Sequence, residues 1–150
     1  MDKEQRLKQL VGRLREHGYR MTPQRMAVLQ ELLRTDSHPS VEGIYRALQP
    51  TYPMMSLATV YKTVATLKEL GEVLELEFSD GHNRYDASMP QPHPHLICRR
   101  CDRIDDYPGD ELDQLMTRAA TRSGYRLLSM RIDFYGICGD CSGSATPAHA

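Results

Sequence analysis

All four cysteines of the chain fall in two identical knuckles, Cys98-x-x-Cys101 and Cys138-x-x-Cys141, separated by 36 residues (102 to 137). Two such knuckles bring four soft thiolates to one point, a donor set that suits tetrahedral Zn2+ at about 2.3 Å. A site closed by four protein ligands leaves no position for a substrate, so the expected ion is structural, one Zn2+ for the four cysteines. A redox dithiol would need one motif, whereas two require a shared explanation. The interval exceeds the roughly 15 to 20 residues of a usual zinc ribbon, and a helix and a strand between the knuckles would account for the excess. Disulfides are the other use of paired cysteines, and they belong to oxidising compartments. The opening MDKEQRLKQL is too charged for the apolar region of a signal peptide. No uncharged apolar run approaches the roughly 18 residues of a spanning helix. The expectation is a cytoplasmic chain that avoids the membrane.

With 150 residues, the chain can form one ordinary domain or two small ones and is too short for a barrel enzyme. Its 40% hydrophobic and 26% charged residues fit a folded protein rather than a disordered one. The net charge of -1 conceals a division. Residues 1–71 carry 11 Lys+Arg and 7 Asp+Glu, net +4, while residues 72–150 carry 8 and 13, net -5. A basic half beside an acidic one suggests that one end meets a polyanion, although +4 alone is a weak argument.

Periodicity gives the organisation. Leu7, Leu10, Val11 and Leu14 fall at helical spacing and predict an amphipathic helix ending near Gly18. Thr22-Pro23 starts a second helix with Met26, Leu29, Leu32 and Leu33 on its apolar side, stopping before His38-Pro39. Ser40 caps a short third helix with Ile44, Tyr45 and Leu48, and Ser56 caps a fourth that ends at Gly71. The fourth helix separates an apolar stripe, Val60, Val64 and Leu67, from a polar one, Thr59, Lys62, Thr63 and Thr66. Leu74, Leu76 and Phe78 then alternate with glutamates, and Asp80-Gly81 turns the chain toward Arg84-Tyr85-Asp86, a β-hairpin. Three helices, a long helix and a hairpin are the order of a winged helix-turn-helix. Its fourth helix, with Ser56, Thr59, Tyr61 and Lys62, could enter a major groove while Arg20, Gln24 and Arg25 meet phosphates. A polar helical face is otherwise simply solvated.

Three prolines in 87–94 mark a hinge. Expected beyond it are strands at 95–98 and 103–107, a helix from Asp110 to about Arg122 with Leu112, Leu115 and Met116 inward, and one or two strands within 125–137. The tail from Ser142 is small and polar enough to be disordered. The fold class is α+β: a winged helix over 1–86, a hinge over 87–94, and a small α/β domain with the four-cysteine zinc site over 95–150. Ahead of the first knuckle, His93-x-His95 in a strand would put both imidazoles on one face, with Asp86 before them and Asp106 after. Nitrogen and oxygen donors together suit Fe2+ or Mn2+. A His-x-His pair is as often surface decoration, and an isolated Asp86 an ordinary turn residue. His17, His82 and His149 carry no such pattern.

Four ordered segments resemble the ferric uptake regulator family across nearly the whole chain: Arg20-Met-Thr-Pro-Gln-Arg25, Ser56-Leu-Ala-Thr-Val-Tyr61, His93-Pro-His-Leu-Ile-Cys-Arg-Arg-Cys101 and Tyr135-Gly-Ile-Cys-Gly-Asp-Cys141. The resemblance implies a homodimeric, metal-dependent transcription repressor that binds a double-stranded DNA operator, an inverted repeat, and is no enzyme. It implies that the C-terminal domain dimerises. It places one regulatory Fe2+ or Mn2+ per subunit on His38, Asp86, His93, His95 and Asp106. Members that sense hydrogen peroxide resemble this chain in carrying Asp at both carboxylate positions, where iron-uptake members carry Glu. Met130 also stands where iron-uptake members often have a metal-binding His. The resemblance therefore implies peroxide sensing through iron-catalysed oxidation of His38 or His93, with an iron-responsive uptake repressor as runner-up and a zinc uptake regulator behind it. A metalloenzyme or a zinc-stapled interaction module are readings of other classes. The first lacks a general base beside an open zinc position, and the second would lack the steep salt dependence of a DNA binder.

Overall fold

In the computed structural model, which describes residues 2–34, 38–78, 81–107 and 112–143, the chain divides into two compact units, Met1–Gln91 and Pro92–Ala150. Asp80, Asp110, His149 and the tail beyond Gly143 lie outside the described residues.

The first unit is helical with a short hairpin. Helix α1 (Lys3–Glu16) begins at Asp2, whose carboxylate accepts from the Gln5 amide at 2.8 Å, and it buries Leu10 and Leu14. Pro23 opens α2 (Pro23–Arg34), and the Thr22 hydroxyl accepts from the Arg25 amide at 3.2 Å. Ser40 caps α3 (Val41–Leu48) through the Gly43 amide, and Ser56 caps α4 (Leu57–Glu69) through the Thr59 amide. Gly71 follows α4 with φ of +69°, the left-handed geometry that lets a helix stop without a Cβ clash. Strands β1 (Leu74–Leu76) and β2 (Arg84–Asp86) pair antiparallel with Leu74 opposite Asp86. The ladder stops short of Phe78 because the Asn83 side chain accepts from the Phe78 amide at 3.2 Å in place of a strand partner.

The core of this unit joins Leu10, Leu14, Leu29, Leu32, Ile44 and Val60, Val64 and Leu67 of α4. One expectation fails here: Thr63 is buried, 2% exposed, and donates its hydroxyl to the Thr59 carbonyl at 2.9 Å, so it does not belong to the outward polar stripe. Back-bonding to the preceding turn satisfies a hydroxyl without water, which lets Thr occupy a core position.

The second unit is a small sheet with β3 (His95–Cys98) central, β4 (Ile104–Asp106) antiparallel on one side and β5 (Asp133–Gly136) parallel on the other. Helix α5 (Leu112–Ser123) lies between β4 and β5 in sequence, and the short helix α6 (Gly139–Ser142) follows β5. Two expectations are corrected. Within 125–137 only residues 133–136 form a strand: the Ile132 carbonyl still accepts from the His95 amide at 3.1 Å, but Tyr125 to Arg131 join no ladder among the described residues. Leu115 is 44% exposed rather than inward, and Met116 is half-buried. Leu96, Tyr107, Tyr125, Leu128, Phe134, Tyr135 and Ile137 are exposed as well, so the unit leaves much of its apolar surface uncovered.

Candidate metal centres and nucleic-acid interface

Cys98 closes β3, Cys101 ends its tight turn, and Cys138 and Cys141 flank the start of α6, which brings all four sulfurs within 4.8 Å of one another. Asp102, with φ of +57°, reverses the first knuckle, its amide donating to the Cys98 carbonyl at 3.0 Å. The Cys101 and Cys138 sulfurs stand 3.8 Å apart. A tetrahedron with bonds of about 2.3 Å has edges of about 3.8 Å, so the spacing fits zinc. The electrostatics agree. Amides of Cys138 and Arg100 donate to Cys98 Sγ at 3.3 and 3.4 Å and pull that thiol down to about 6. The neighbouring Cys101 and Cys138 side chains push Cys141 up to about 12. Thiols this crowded resist collective ionisation until a cation compensates them.

The histidines and carboxylates form two groups, one in each unit. In the first unit, Pro39 and Ser40 ahead of α3 are held against β2: the Tyr85 amide donates to the Pro39 carbonyl at 3.1 Å, and Ser40 bridges to Arg84. This brings His38 Nε2 to 3.6 Å from Asp86 Oδ2, both side chains buried. His38 has φ of +49°, a left-handed conformation that a non-glycine residue keeps only where its surroundings impose it. The two oxygens of Asp86 have separate duties. Oδ1 accepts from the Ser88 and Met89 amides at 2.7 and 3.0 Å, and Oδ2 faces His38. Arg6 steadies the same corner. Its buried guanidinium donates to the Ala87 carbonyl at 2.7 Å, to the Glu72 carbonyl at 2.8 Å and to Glu72 Oε2 at 2.9 Å.

In the second unit, His93 lies just ahead of β3 rather than in it, because the chain pairs with β4 and β5 only from His95 onward. The two imidazoles nevertheless meet, ring centres 4.3 Å apart. The Tyr107 amide holds the intervening Pro94 carbonyl at 2.9 Å. Asp106 Oδ1 sits 3.0 Å from His93 Nε2 and 3.9 Å from His95 Nε2. Two imidazoles converging on one carboxylate oxygen offer a divalent cation three ligands of the kind Fe2+ or Mn2+ prefers. Asp133 of β5 stands 3.9 Å from the other nitrogen of His95. Sequence reasoning missed Asp133, Arg6 and Glu42. Alternation in Asp133-Phe-Tyr could mark a strand, but nothing in the spacing tells which strand receives it.

The residues singled out for DNA lie in the first unit. Arg20, Gln24, Ser56, Tyr61 and Lys62 are exposed, while Thr59 is half-buried with its hydroxyl 2.9 Å from that of Ser56. The Tyr61 hydroxyl donates to Glu42 Oε1 of α3 at 2.8 Å, which holds the Glu42 carboxyl below its ordinary range. Arg25 is more occupied than expected: it is half-buried, lies over the Tyr19 ring at 5.6 Å and donates to the Arg20 carbonyl. His17 bonds the Arg13 carbonyl at 2.8 Å, a helix-end contact.

Residues 16–135 match the ferric uptake regulator family. The chain belongs to that family. Among members, it is 41% identical over 139 residues to the peroxide operon regulator of Bacillus subtilis, covering 91% of this chain and 93% of that one. It is 36% identical to the peroxide-responsive repressor PerR of Staphylococcus saprophyticus, with 92% and 93% covered. A solved zinc-bound manganese uptake regulator of the family is 32% identical with a TM-score of 0.69, covering 86% of this chain and 98% of its own. The ferric uptake regulator Fur of Helicobacter pylori shares the family fold at a TM-score of 0.77 and 24% identity over 97% of both chains. In this family's terms, the α+β architecture, the four-cysteine cluster suited to structural zinc and the His and Asp groups suited to a regulatory metal all have their counterparts here. No helix among the described residues is long and apolar enough to cross a membrane.

Proposed function

We propose that this protein is a metal-dependent transcriptional repressor that senses hydrogen peroxide and acts by binding rather than turnover. Cys98, Cys101, Cys138 and Cys141 hold one structural Zn2+ per subunit, in the reducing cytoplasm where their thiols persist. His38, Asp86, His93, His95 and Asp106 together hold one regulatory Fe2+ or Mn2+. His38 and Asp86 bring the winged helix of 1–86 to that ion, and His93, His95 and Asp106 bring the body of 95–150, with 87–94 as the hinge. Ligation by both parts selects one orientation of the reading head, and a dimer presents two heads to the half-sites of an inverted repeat. Exposed Leu96 and Phe134, paired across β3 and β5 on one face of the sheet, supply apolar surface for the homodimer. Ser56, Thr59, Tyr61 and Lys62 read the duplex while Arg20, Gln24 and Arg25 meet its backbone.

Bound Fe2+ would supply the one-electron chemistry that converts hydrogen peroxide into an oxidant of a nearby imidazole. His38 or His93 would be the ligand that takes up oxygen. An oxidised imidazole is a poor donor, so the clamp opens and the operator is released. The observation that carries the peroxide reading is the likeness to the peroxide operon regulator of Bacillus subtilis over nine-tenths of the chain. The manganese uptake regulator at 32% identity favours a second reading, a repressor that answers to metal supply alone. One experiment separates them: load the protein with Fe2+ or with Mn2+, add peroxide without oxygen, and weigh the His38 and His93 peptides while following operator binding. One added oxygen and loss of operator binding with iron only is the expected result. Unmodified peptides with iron would overturn peroxide sensing and leave the metal-supply reading.

A further inference from the structure

His95 occupies the first position of the central strand β3. Its direct partners are Asp106 in antiparallel β4 and Asp133 in parallel β5. Directly paired residues project from the same face of a sheet, so the imidazole stands between two carboxylates. The geometry is two-sided: Nε2 is 3.9 Å from Asp106 Oδ1, and Nδ1 is 3.9 Å from Asp133 Oδ1. The ring is 1% exposed and the Asp133 side chain 13%. The oxygens of Asp133 differ. Oδ2 accepts from Arg131 Nε at 2.9 Å, while Oδ1 is buried and has no hydrogen-bond partner among the described residues. A buried carboxylate oxygen is costly without a donor, and the nearest ring nitrogen is that of His95.

We propose that Asp133 is a positioning residue for the regulatory metal: its Oδ1 takes the Nδ1–H of His95 and thereby fixes the tautomer that presents Nε2 on the Asp106 side. The proposal rests on His95 being a ligand, as argued above. A closure of about 1 Å by ring or carboxylate converts the 3.9 Å approach into a hydrogen bond near 2.9 Å. A histidine ligand whose other N–H is held by a carboxylate is more basic at the ligating nitrogen and loses less freedom on binding. Arg131 anchors the other oxygen, so Asp133 is oriented before any ion arrives. Asp133 lies across the ring from Asp106 and is not itself a ligand.

The test uses the full, zinc-containing chain and Mn2+ as probe. Asp133→Leu, which keeps the forked side-chain shape and removes the acceptor, weakens Mn2+ binding about 10- to 100-fold by calorimetry. Asp133→Asn, which keeps an amide oxygen, recovers part of that loss. His95→Ala is the control for the underlying reading. If His95→Ala binds Mn2+ like the parent, the ligand assignment fails. If it loses Mn2+ while Asp133→Leu does not, only the role of Asp133 fails. A purely structural role would lower the thermal stability of both metal-free Asp133 variants alike and leave Mn2+ affinity unmoved. A measurement on the parent does not depend on any variant folding. Long-range nitrogen–proton NMR of the protein with Zn2+ in the regulatory site should find His95 protonated at Nδ1 and ligated through Nε2, and ligation through Nδ1 would overturn the proposal.

Discussion

Asp86 performs two tasks with two oxygens, and substitutions can separate them. Asp86→Asn keeps Oδ1 as an acceptor for the Ser88 and Met89 amides but replaces the Oδ2 that faces His38 with an NH2 group. Asp86→Ala removes both. The side chain is 5% exposed and both hydrogen bonds are part-buried, so losing the acceptor leaves two backbone donors without it. At roughly 1 to 3 kcal/mol for each stranded group, Asp86→Ala should cost about 3 kcal/mol, on the order of 12 to 24 °C for a unit of this size. Without regulatory metal, Asp86→Asn should melt close to the parent. The metal arm is then a linkage calculation. Mn2+ at 100 times its Kd stabilises the parent by about 2.7 kcal/mol, roughly 5 to 11 °C for a 150-residue chain. Scanning calorimetry with and without Mn2+ should show that rise in the parent and none in Asp86→Asn. An equal rise in Asp86→Asn would refute the assignment of Oδ2 as a ligand, and an Asp86→Ala protein as stable as Asp86→Asn would refute the turn.

Burial opposes ionisation of Glu75, but donors from Lys68, Asn83 and Tyr85 outweigh it and hold that carboxyl below its ordinary value. The stability it contributes is present above the usual carboxylate range, near pH 4.5, and is lost as pH falls through the lower folded value. Glu75→Gln should therefore be less stable than the parent at pH 7 by about 1 to 3 kcal/mol and converge with it in acid, and parallel pH curves would contradict this. Cys138→Ser should lose bound zinc and expose the remaining thiols to a thiol reagent; retained zinc in that variant would refute the four-thiolate cage. Lys62→Ala should flatten the salt dependence of operator binding by about one phosphate contact, roughly 0.9 in the logarithmic slope, and an unchanged slope would remove Lys62 from the interface.

The helical part of the fold was legible because its signals are local. Ser40 and Ser56 cap where their spacing indicates, and the left-handed Gly71 ends α4. Local patterns failed where a side chain satisfied itself within the backbone, as Thr63 does, where the chain joins no ladder among the described residues, as over Tyr125 to Arg131, and where Leu115 stays exposed. The cysteine cage was readable because paired knuckles have a single economical explanation. The His and Asp groups were only half readable. Spacing suggested His93, His95 and the carboxylates, but His38 lies 48 residues before Asp86 and came only through the family likeness. Asp133 escaped because parallel pairing of β5 with β3 joins residues 38 positions apart, a register that alternation alone does not encode.

The central claim is that one ion is ligated by both the winged helix and the body. Diffraction from crystals of the Mn2+-loaded protein at the manganese absorption edge tests it most directly. The account predicts one anomalous peak outside the cysteine cage, bonded to His38 and Asp86 as well as to His93, His95 and Asp106. A peak bonded only to residues of 95–150, with His38 and Asp86 unligated, would contradict it.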